Sequence, residues 1–312
     1  MLWSRLLAIA PFFLWGSGMV VMKGPLAAAS PLFIAIMRLL PAGLIVLLAL
    51  ALMGRRDLWP RTTQAWLWIL AFALLDGSVF EGLLIVGLQD TGAGLGSVLI
   101  DTQPTVVALL ATLFYQERLG WIGWIGMALA LTGIGTIGLT TGFSLTAGSG
   151  LMLGAAIAMA ISTVMMREIA KHIDPVVATG WHLLLGSVPL ITISAFTETQ
   201  QWQGLDAAGW LGVAYIAIFT SALAYALFFY AASQENLMQY SSLTFLTPVF
   251  ALLLGYGFLH ESLSLQQWFG VGLTLLAVYV VHQRETLLAR WQRFVVTSRT
   301  ADYEPAPETI RR

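Results

Sequence analysis

Two stretches of the chain decide the fold: PTVVALLATLFYQERLGWIGWIG at 104–126 and PVFALLLGYGFLHESLSLQQWFG at 248–270. Placed one above the other without a gap, they carry identical residues at the positions of Pro104, Leu109, Leu110, Phe114, Glu117, Leu119, Trp124 and Gly126. Leucine matches are common in an apolar chain, whereas matched proline, glutamate and tryptophan residues are not. The sequence therefore contains an internal repeat whose two copies lie 144 residues apart.

The composition places this repeat in a membrane. Hydrophobic residues make up 58% of the 312 residues, charged residues make up 10%, and the mean hydropathy is +0.81. An average soluble protein has roughly 25% charged residues, so this chain cannot cover a water-exposed surface. The net charge of −1 excludes a broadly basic nucleic-acid-binding protein. The absence of cysteine excludes disulfides and thiolate metal ligands, and four histidines offer little material for a metal centre.

Glycine, proline and charged residues divide the chain into ten apolar stretches. A membrane helix needs about 20 mostly apolar residues. The predicted spans are 3–22, 31–53, 66–87, 92–115, 121–139, 149–167, 176–196, 209–231, 237–259 and 265–283. We interpret the first stretch as a spanning helix and not as a cleaved signal peptide, because its apolar run is long and Lys23 precedes the alanines at 27–29. The arginine-rich segment 284–312 is predicted to be a disordered tail after one or two helical turns.

The distribution of lysine and arginine predicts the orientation of these spans. With the N-terminus in the cytoplasm, thirteen of the 15 basic residues lie in cytoplasmic segments, and only Lys23 lies on the opposite side. Positive residues accumulate on the cytoplasmic side of membrane proteins. Both termini are therefore predicted to be cytoplasmic.

The repeat and the number of spans together predict an inverted architecture. Residues 1–140 and 147–283 each contain five spans, and an odd number forces the second copy to enter the membrane from the opposite side. Inverted repeats of this kind are typical of secondary transporters, whose substrate sites lie near the midplane between the repeats. We therefore expect an all-α integral membrane protein built from two inverted five-helix repeats.

At this point the chain resembles a known family across residues 2–283, the EamA branch of the drug/metabolite transporter superfamily. The resemblance is carried by Leu14-Trp15-Gly16-Ser17, Met22-Lys23, Ser30-Pro31, Arg38-Leu39-Leu40, Pro104…Glu117 and Pro248…Glu261. The segment from Leu75 to Pro104 is similar to a subgroup found in cyanobacteria, other bacteria and plastid-related plant proteins. The resemblance implies alternating-access export of small metabolites, with amino acids as a frequent substrate. It implies no catalytic residues and no cofactor.

Five ionisable side chains fall inside predicted spans: Arg38, Asp76, Glu81, Asp101 and His182. A charged residue at a helix centre costs about 2.5–3.5 kcal/mol on an insertion scale, so each is a functional hypothesis. At 1.5 Å per residue, Asp76 and Asp101 lie about 15 and 14 Å from their span starts, near the midplane. Arg38 and Glu81 each lie about 10 Å from the outer surface. We expect these last two to form an ion pair, either an outer gate or a static link between helices.

Asp101 is the first candidate for the carboxylate that binds a substrate amine or a coupling ion. On a continuous helix it shares a face with Gly94, Ser97, Thr105 and Ala108, a small and polar stripe typical of a cavity wall. Ser97 is therefore included among the predicted cavity residues. A structural carboxylate bonded to a neighbouring helix is the alternative.

Asp76 is the second candidate for proton or substrate binding. It is five residues from Glu81, about 140° around an α-helix, so these two carboxylates are not predicted to share one face. The repeat pairs Asp76 with Thr220, Gly77 with Ser221, Glu81 with Tyr225, Asp101 with Phe245 and Arg38 with His182. A cavity that is acidic on one wall and aromatic on the other suits a zwitterionic or cationic metabolite.

The remaining predicted site residues are a histidine, several hydroxyl and aromatic side chains, and two prolines. His182 is predicted to be a hydrogen-bonded core residue, with titration near physiological pH as the alternative. Aromatic residues that would stack on a substrate are Trp15, Trp181, Tyr225, Tyr230 and Tyr240, and Ser221 adds a hydroxyl. Pro104 and Pro248 interrupt their helices at matched positions and are predicted hinges.

These patterns predict a secondary transporter of a small metabolite in the cell membrane, exporting its substrate and coupled to protons. A gradient-independent facilitator is the first alternative, and an intramembrane enzyme or a receptor is a more distant one. No motif for ATP hydrolysis, metal hydrolysis or a serine nucleophile occurs in the chain. The expected partners are a small-molecule substrate, protons and the lipid bilayer, with no nucleic acid and no metal. Monomer and homodimer both remain open.

Overall fold

In the computed structural model, ten helical segments long and apolar enough to cross a membrane follow one another. The structure describes residues 2–138, 146–259 and 263–301, without the side chains of 2–6, 92–95, 97, 138, 259 and 293–301. The segments are α1 (Leu7–Ala28), α2 (Pro31–Leu52), α3 (Thr63–Thr91), α4 (Val98–Tyr115), α5 (Gly120–Ile137), α6 (Ala147–Ile169), α7 (Pro175–Thr197), α8 (Ala207–Gln234), α9 (Leu237–Phe258) and α10 (Leu265–His282). The described ranges contain helices and loops but no strand, so the predicted all-α fold with ten spans is confirmed.

The helices pack in pairs that correspond under exchange of the two halves. α2 packs against α7, and α5 packs against α10, so each of these pairs joins equivalent helices of the two halves. The contact of α1 with α9 has its counterpart in the contact of α6 with α4. Likewise, the contact of α3 with α7 has its counterpart in that of α8 with α2. Helices of the first half therefore pack extensively against helices of the second half.

Two matched segments depart from α-helical geometry. Residues Ala73–Phe80 of α3 and Ile216–Leu223 of α8 form π-helical turns. Shifted by the repeat distance, the first segment falls within one residue of the second. π-turns are rare and are frequently found at functional sites. The first of them contains Asp76, and the second contains Thr220 and Ser221.

The fourth and ninth spans are also interrupted at matched positions. A turn at Asp101 and Thr102 separates the helices Glu81–Ile100 and Gln103–Tyr115. In α9, the interruption is a 3₁₀ turn at Ser242–Phe245. The physical reason is the proline that follows each break, because Pro104 and Pro248 have no N–H to continue the ladder. The prediction that one helix face runs continuously through Asp101 is therefore wrong.

Two predicted boundaries are also corrected. The helix Glu81–Ile100 runs through 88–91, which the sequence reading took as a connection between the third and fourth spans. Glycines weaken a helix without ending it when tertiary packing holds the backbone. After α10, a helix at Arg284–Ala301 (α11) is longer than the one or two turns predicted. The ring of Trp291 packs 5.4 Å from that of Trp121, and this contact supports the longer helix.

Carboxylates at two loops cap the N-termini of the central helix pair. Glu198, after α7, accepts hydrogen bonds from the backbone N–H groups of Leu32 and Phe33 at 2.8 and 3.0 Å. Asp174 caps its own helix α7 and accepts a hydrogen bond from Arg55 at 3.1 Å. Arg55 also binds Asp57, and its guanidinium lowers the pKa of that carboxyl. Negative charge stabilises a helix N-terminus, so both contacts hold α2 and α7 in register.

The closest approach between α3 and α7 is made by two glycines. A methyl group on Gly77 would lie 2.7 Å from the Cα atom of Gly186 and 2.9 Å from the carbonyl oxygen of His182. Beside this contact, the hydroxyl of Ser78 donates a hydrogen bond to the Gly186 carbonyl at 2.7 Å. Both obstacles are backbone atoms, so a side chain here can be relieved only by moving a helix.

We expect Gly77→Ala to lower the free energy of unfolding by about 1–3 kcal/mol, as overpacking of a core does. The measurement is the thermal unfolding midpoint of the purified protein in detergent. Gly272→Ala in α10 is the matched control, because nothing lies within 4 Å of a methyl group at that position. The control is expected to unfold at or slightly above the wild-type temperature. Equal midpoints for both variants would show that the glycine contact is loose.

Candidate substrate cavity and buried charge network

A cavity of about 70 Å³ lies between the two halves of the chain. Helices α1, α2, α3 and α4 of the first half and α6, α8 and α9 of the second contribute its walls. We call it the central cavity. Its polar lining residues are Arg38, Asp101, Gln103, Thr220, Tyr225, Thr244 and Thr247, and the rest of the wall is mostly methionine, leucine and aromatic side chains.

Four of the predicted site residues line the central cavity: Arg38, Asp101, Trp15 and Tyr225. Three others, Asp76, Glu81 and His182, are buried behind its wall. Ser221 is buried without a hydrogen-bond partner and is not part of the lining, and Tyr240 lines a different cavity. The side chain of Ser97 lies outside the described residues. Some of the predicted residues thus line one cavity and others lie behind its wall, and their part in binding a substrate stays a prediction.

Asp101 reaches the cavity from the break in α4. The carboxylate is almost fully buried, and within the described part of the chain no hydrogen bond or ion pair joins it to another residue. Thr105 and Ala108, which the predicted stripe grouped with it, are not lining residues, and a turn at 101–102 separates their helix from the preceding one. A buried ionised carboxylate without a partner carries a large desolvation cost, which a proton or a cationic ligand would offset.

Among the lining residues that the sequence did not predict, Gln103, Thr244 and Thr247 share one property. Each has a buried side-chain oxygen without a hydrogen-bond partner in the described structure. Gln103 also donates a weak hydrogen bond of 3.3 Å to Thr163 on α6. The repeat could have found two of them, because Gln103 and Thr247 are counterparts that directly precede the matched prolines.

The predicted ion pair between Arg38 and Glu81 is present. Nη1 of Arg38 lies 3.1 Å from Oε2 of Glu81, and both side chains are buried. The other carboxylate oxygen, Oε1, accepts a hydrogen bond of 2.6 Å from the hydroxyl of Tyr225. Glu81 and Tyr225 are separated by 144 residues, the repeat distance, so equivalent positions of the two halves touch each other here. The contact that links α2 to α3 therefore also links the two halves.

Asp76 pairs with His182 across the same boundary. Nε2 of His182 lies 3.0 Å from Oδ2 of Asp76, and both side chains are fully buried. Asp76 contacts α7, whereas Glu81 contacts α2 and α8, so the two carboxylates meet different helices. Because a π-turn lies between them, the angle of 140° that holds for an α-helix does not apply to this pair. Both carboxylates are buried in the interior of the bundle.

The two ion pairs are joined by aromatic contacts. The imidazole ring of His182 lies 6.0 Å from the ring of Tyr225, which itself donates to Glu81. Phe72 and Phe229 cover the imidazole at ring distances of 4.1 and 5.6 Å. We call Arg38, Glu81, Tyr225, His182 and Asp76 together the buried network. It draws on α2, α3, α7 and α8, the helices at the centre of the bundle.

A second cavity, of about 290 Å³, lies near the ends of α1, α8, α9 and α10. It is lined by Ala8, Glu235, Asn236, Gln239, Tyr240, Leu243 and His282, and it shares no lining residue with the central cavity. In the predicted orientation these helix ends face the cytoplasm.

Aromatic rings fill the space between the two cavities. Phe12 lies 5.9 Å from Trp15 on the central side and 5.7 Å from Tyr240 on the other side. Phe228 makes the same bridge, at 4.9 Å from Trp15 and 5.4 Å from Tyr240. Phe12 and Phe228 are fully buried. We call these four rings the aromatic barrier, because the hydrocarbon rings of Phe12 and Phe228 lie between Trp15 on one side and Tyr240 on the other.

Other predicted aromatic residues lie away from the central cavity. Trp181 donates a hydrogen bond of 2.7 Å to the carbonyl of Leu58 and packs against Trp59 and Trp66. Tyr230 is half exposed on the outside of the bundle. Both therefore have ordinary packing or interfacial positions. The hinge role of Pro104 and Pro248 stays a prediction, although helix breaks precede both residues.

The fold and the cavity define a class, namely multi-pass helical membrane proteins that move small solutes. A family model described as the EamA-like transporter family matches the chain twice, at residues 2–139 and 146–283. The uncharacterized transporter sll0355 of Synechocystis sp. is 47% identical over 302 residues, and the alignment covers 91% of each chain. The chloroplastic WAT1-related protein At3g02690 of Arabidopsis thaliana is 42% identical, and the alignment covers 88% of this chain and 68% of that protein.

A solved structure shares the fold with a TM-score of 0.78 at 18% sequence identity, covering 92% of this chain and 97% of that one. The chain therefore belongs to the EamA-like transporter family. It is a multi-pass protein of the cell membrane, and membership in this family implies membrane transport of small solutes.

Proposed function

We propose that the chain is a secondary transporter that exports a zwitterionic or cationic metabolite, such as an amino acid, by alternating access. One observation carries the substrate class. Among the described residues, the buried carboxylate of Asp101 has no hydrogen-bond or ion-pair partner, and it lines the same cavity as Arg38. A cationic group of the substrate would offset the desolvation cost of this carboxylate.

The remaining lining residues have complementary roles in this proposal. Nε of Arg38 is buried and has no hydrogen-bond partner in the part of the chain that the structure describes, so the guanidinium can bind a substrate carboxylate and keep its ion pair with Glu81. Gln103 and Thr247 orient the substrate by hydrogen bonds. The cavity is smaller than the roughly 300–1,000 Å³ of common ligand pockets. Methionine side chains in its wall are flexible enough to make room for a small solute.

We also propose that the two halves are inverted repeats with both termini in the cytoplasm. Three observations support this arrangement: the corresponding helix contacts, the matched π-turns of α3 and α8, and the contact between the equivalent residues Glu81 and Tyr225. The family model also matches each half separately. Rocking of two such halves about a shared site is the general mechanism of alternating access.

In this orientation the aromatic barrier closes the cytoplasmic side of the central cavity. We expect Gln239→Cys, in the second cavity, to react with a membrane-impermeant thiol reagent added on the cytoplasmic side. Leu88→Cys, in the central cavity, is expected to react from the opposite side. The natural chain has no cysteine, so each variant carries a single reporter. Labelling rates in inside-out and right-side-out vesicles provide the measurement.

Ala42→Cys is the control for this labelling, because Ala42 is fully buried and lines neither cavity. It is expected to remain unlabelled from both sides. Reaction of Gln239→Cys and Leu88→Cys from one and the same side would contradict the proposed barrier.

The transport proposal is tested by uptake of a labelled amino-acid mixture into proteoliposomes, with and without an imposed pH gradient. Uptake that the gradient stimulates is expected for proton coupling. Equal uptake in both conditions would identify a gradient-independent facilitator and contradict the proposed proton coupling. An absence of uptake in both conditions would contradict the proposed substrate class. Protein-free liposomes measure the leak.

A further inference from the structure

We infer that the Asp76–His182 pair is the proton-binding site of the transport cycle and is separate from the substrate carboxylate Asp101. This inference rests on the proposed transport function and deepens it. The two sites differ in their surroundings. Asp101 lines the central cavity and has no partner among the described residues, whereas Asp76 and His182 lie behind the wall and bind each other at 3.0 Å.

The first argument is the charge of the buried network. Arg38 and Glu81 neutralise each other at 3.1 Å. Asp76 and His182 are neutral together only when they share one proton, and without it the network holds a net charge of −1 away from water. Uncompensated buried charge is strongly unfavourable, so this pair binds a proton in the conformation described.

The second argument is the position of the free polar atoms. Oδ1 of Asp76 and Nδ1 of His182 are both buried without a hydrogen-bond partner in the described structure. The neutral imidazole keeps one N–H, so the added proton is held either in the Oδ2···Nε2 hydrogen bond or on Nδ1, depending on the tautomer. The two free atoms are where a water molecule can deliver or remove it when the pair opens. The step is a proton transfer alone, with no other bond formed or broken. Phe72 and Phe229 keep the pair dry in the closed conformation.

The third argument is the link to the substrate site. The other titratable groups that belong to the network are Arg38 on α2, Glu81 on α3 and Tyr225 on α8. Tyr225 contacts the His182 ring at 6.0 Å, donates to Glu81 at 2.6 Å and also lines the central cavity. Tyr225 therefore connects the Asp76–His182 pair to the cavity wall, so a change of charge at the pair affects the wall through this one side chain.

The fourth argument is that the pair joins the two halves. Asp76 lies in the π-turn of α3, and His182 lies on α7 one turn from the glycine contact between Gly77 and Gly186. Loss of the proton leaves Asp76 charged opposite a neutral imidazole and removes an ionic link between the halves. Proton binding and relative movement of the halves are thus coupled in one place, as alternating access requires.

Nuclear magnetic resonance of the purified protein labelled with ¹⁵N-histidine tests the proton site without any substrate. The side-chain signals of His182 are assigned by their loss in His182→Gln, and the exposed His172→Gln is the matched control. We expect the ¹⁵N shifts of His182 to report one proton-binding step over the pH range in which the protein stays folded. In Asp76→Asn that step is expected to move or disappear. Wild-type signals that do not change over this range would overturn the inference.

Transport by Asp76→Asn separates the two sites. At one proton per substrate, a gradient of about one pH unit accumulates a solute about tenfold. We expect Asp76→Asn to exchange labelled for unlabelled amino acids at a rate near that of the wild type and to lose the tenfold accumulation. Accumulation that persists in Asp76→Asn, or exchange lost with substrate binding intact, would overturn the role in coupling. If the wild type moves no amino acid, the substrate proposal fails, and the histidine titration still decides the proton site.

Discussion

Arg38→Met is expected to lower the free energy of unfolding by about 3–5 kcal/mol, because it leaves the carboxylate of Glu81 buried without its cation. The side chains of both residues are buried, and the remaining partner of Glu81 is the hydroxyl of Tyr225. A loss of this size is a large fraction of the 5–15 kcal/mol that is usual for a folded domain. The measurement is the thermal unfolding midpoint in detergent, together with the yield of monodisperse protein.

The matched control is the double variant Arg38→Met/Glu81→Gln, in which neither a cation nor an anion remains. Its glutamine can still accept the hydrogen bond from Tyr225, so we expect most of the lost stability to return. A double-mutant cycle with Glu81→Gln gives the coupling energy directly. If the effects of the two single substitutions on the free energy of unfolding were additive, the ion pair would make no net contribution to stability. Restored stability with slow transport would identify a gate, and restored stability with normal transport would identify a static link.

Asp101→Asn is expected to raise the substrate Kd by about 10- to 100-fold and to abolish transport at low substrate concentration. The physical reason is that a hydrogen bond to a charged group contributes about 1.5–3 kcal/mol, more than one between neutral groups. The unfolding midpoint should be unchanged or higher, because the variant removes an unpartnered buried charge. Uptake and substrate-induced thermal stabilisation in proteoliposomes and detergent measure the two effects.

Thr105→Val is the neighbouring control, since Thr105 lies on the same helix as the proline and does not line the cavity. Its transport rate is expected to be within about twofold of the wild-type rate, because the substitution removes no contact with the substrate. Wild-type transport in Asp101→Asn would place the substrate cation elsewhere. Loss of folded protein in this variant would instead favour a structural role for the carboxylate.

The residues of the candidate site were partly predictable from the sequence, because placing a charged side chain in lipid is energetically unfavourable. Arg38, Asp76, Glu81, Asp101 and His182 stood out because ionisable residues rarely occur in spans, and all five are buried in the structure. The ion pair of Arg38 with Glu81 followed from their shared depth. Gln103 and Thr244 carried no such signal, because uncharged polar residues occur in spans for many reasons.

Several predictions depended on an α-helical backbone and were wrong where the backbone departs from it. The stripe around Asp101 required a continuous helix. Pro104 interrupts the backbone hydrogen bonds of that helix, which therefore ends at Ile100. The angle of 140° between Asp76 and Glu81 used the period of 3.6 residues, which does not hold in a π-turn, although the two carboxylates still meet different helices. A hydropathy pattern does not distinguish these geometries, because the residues are apolar in either case.

By itself, the sequence determined the membrane class and the ten spans, because both follow from composition and from local patterns of apolar residues, and its short motifs carried the resemblance to the family. Only the tertiary structure decided which buried groups meet. The π-turn at Ala73–Phe80 forms where Gly77 packs against Gly186, and that packing turns Asp76 toward His182 and leaves Glu81 facing Tyr225. These partners lie 106 and 144 residues apart along the chain. Contacts between residues so distant are specified by how helices pack, and no local pattern records them.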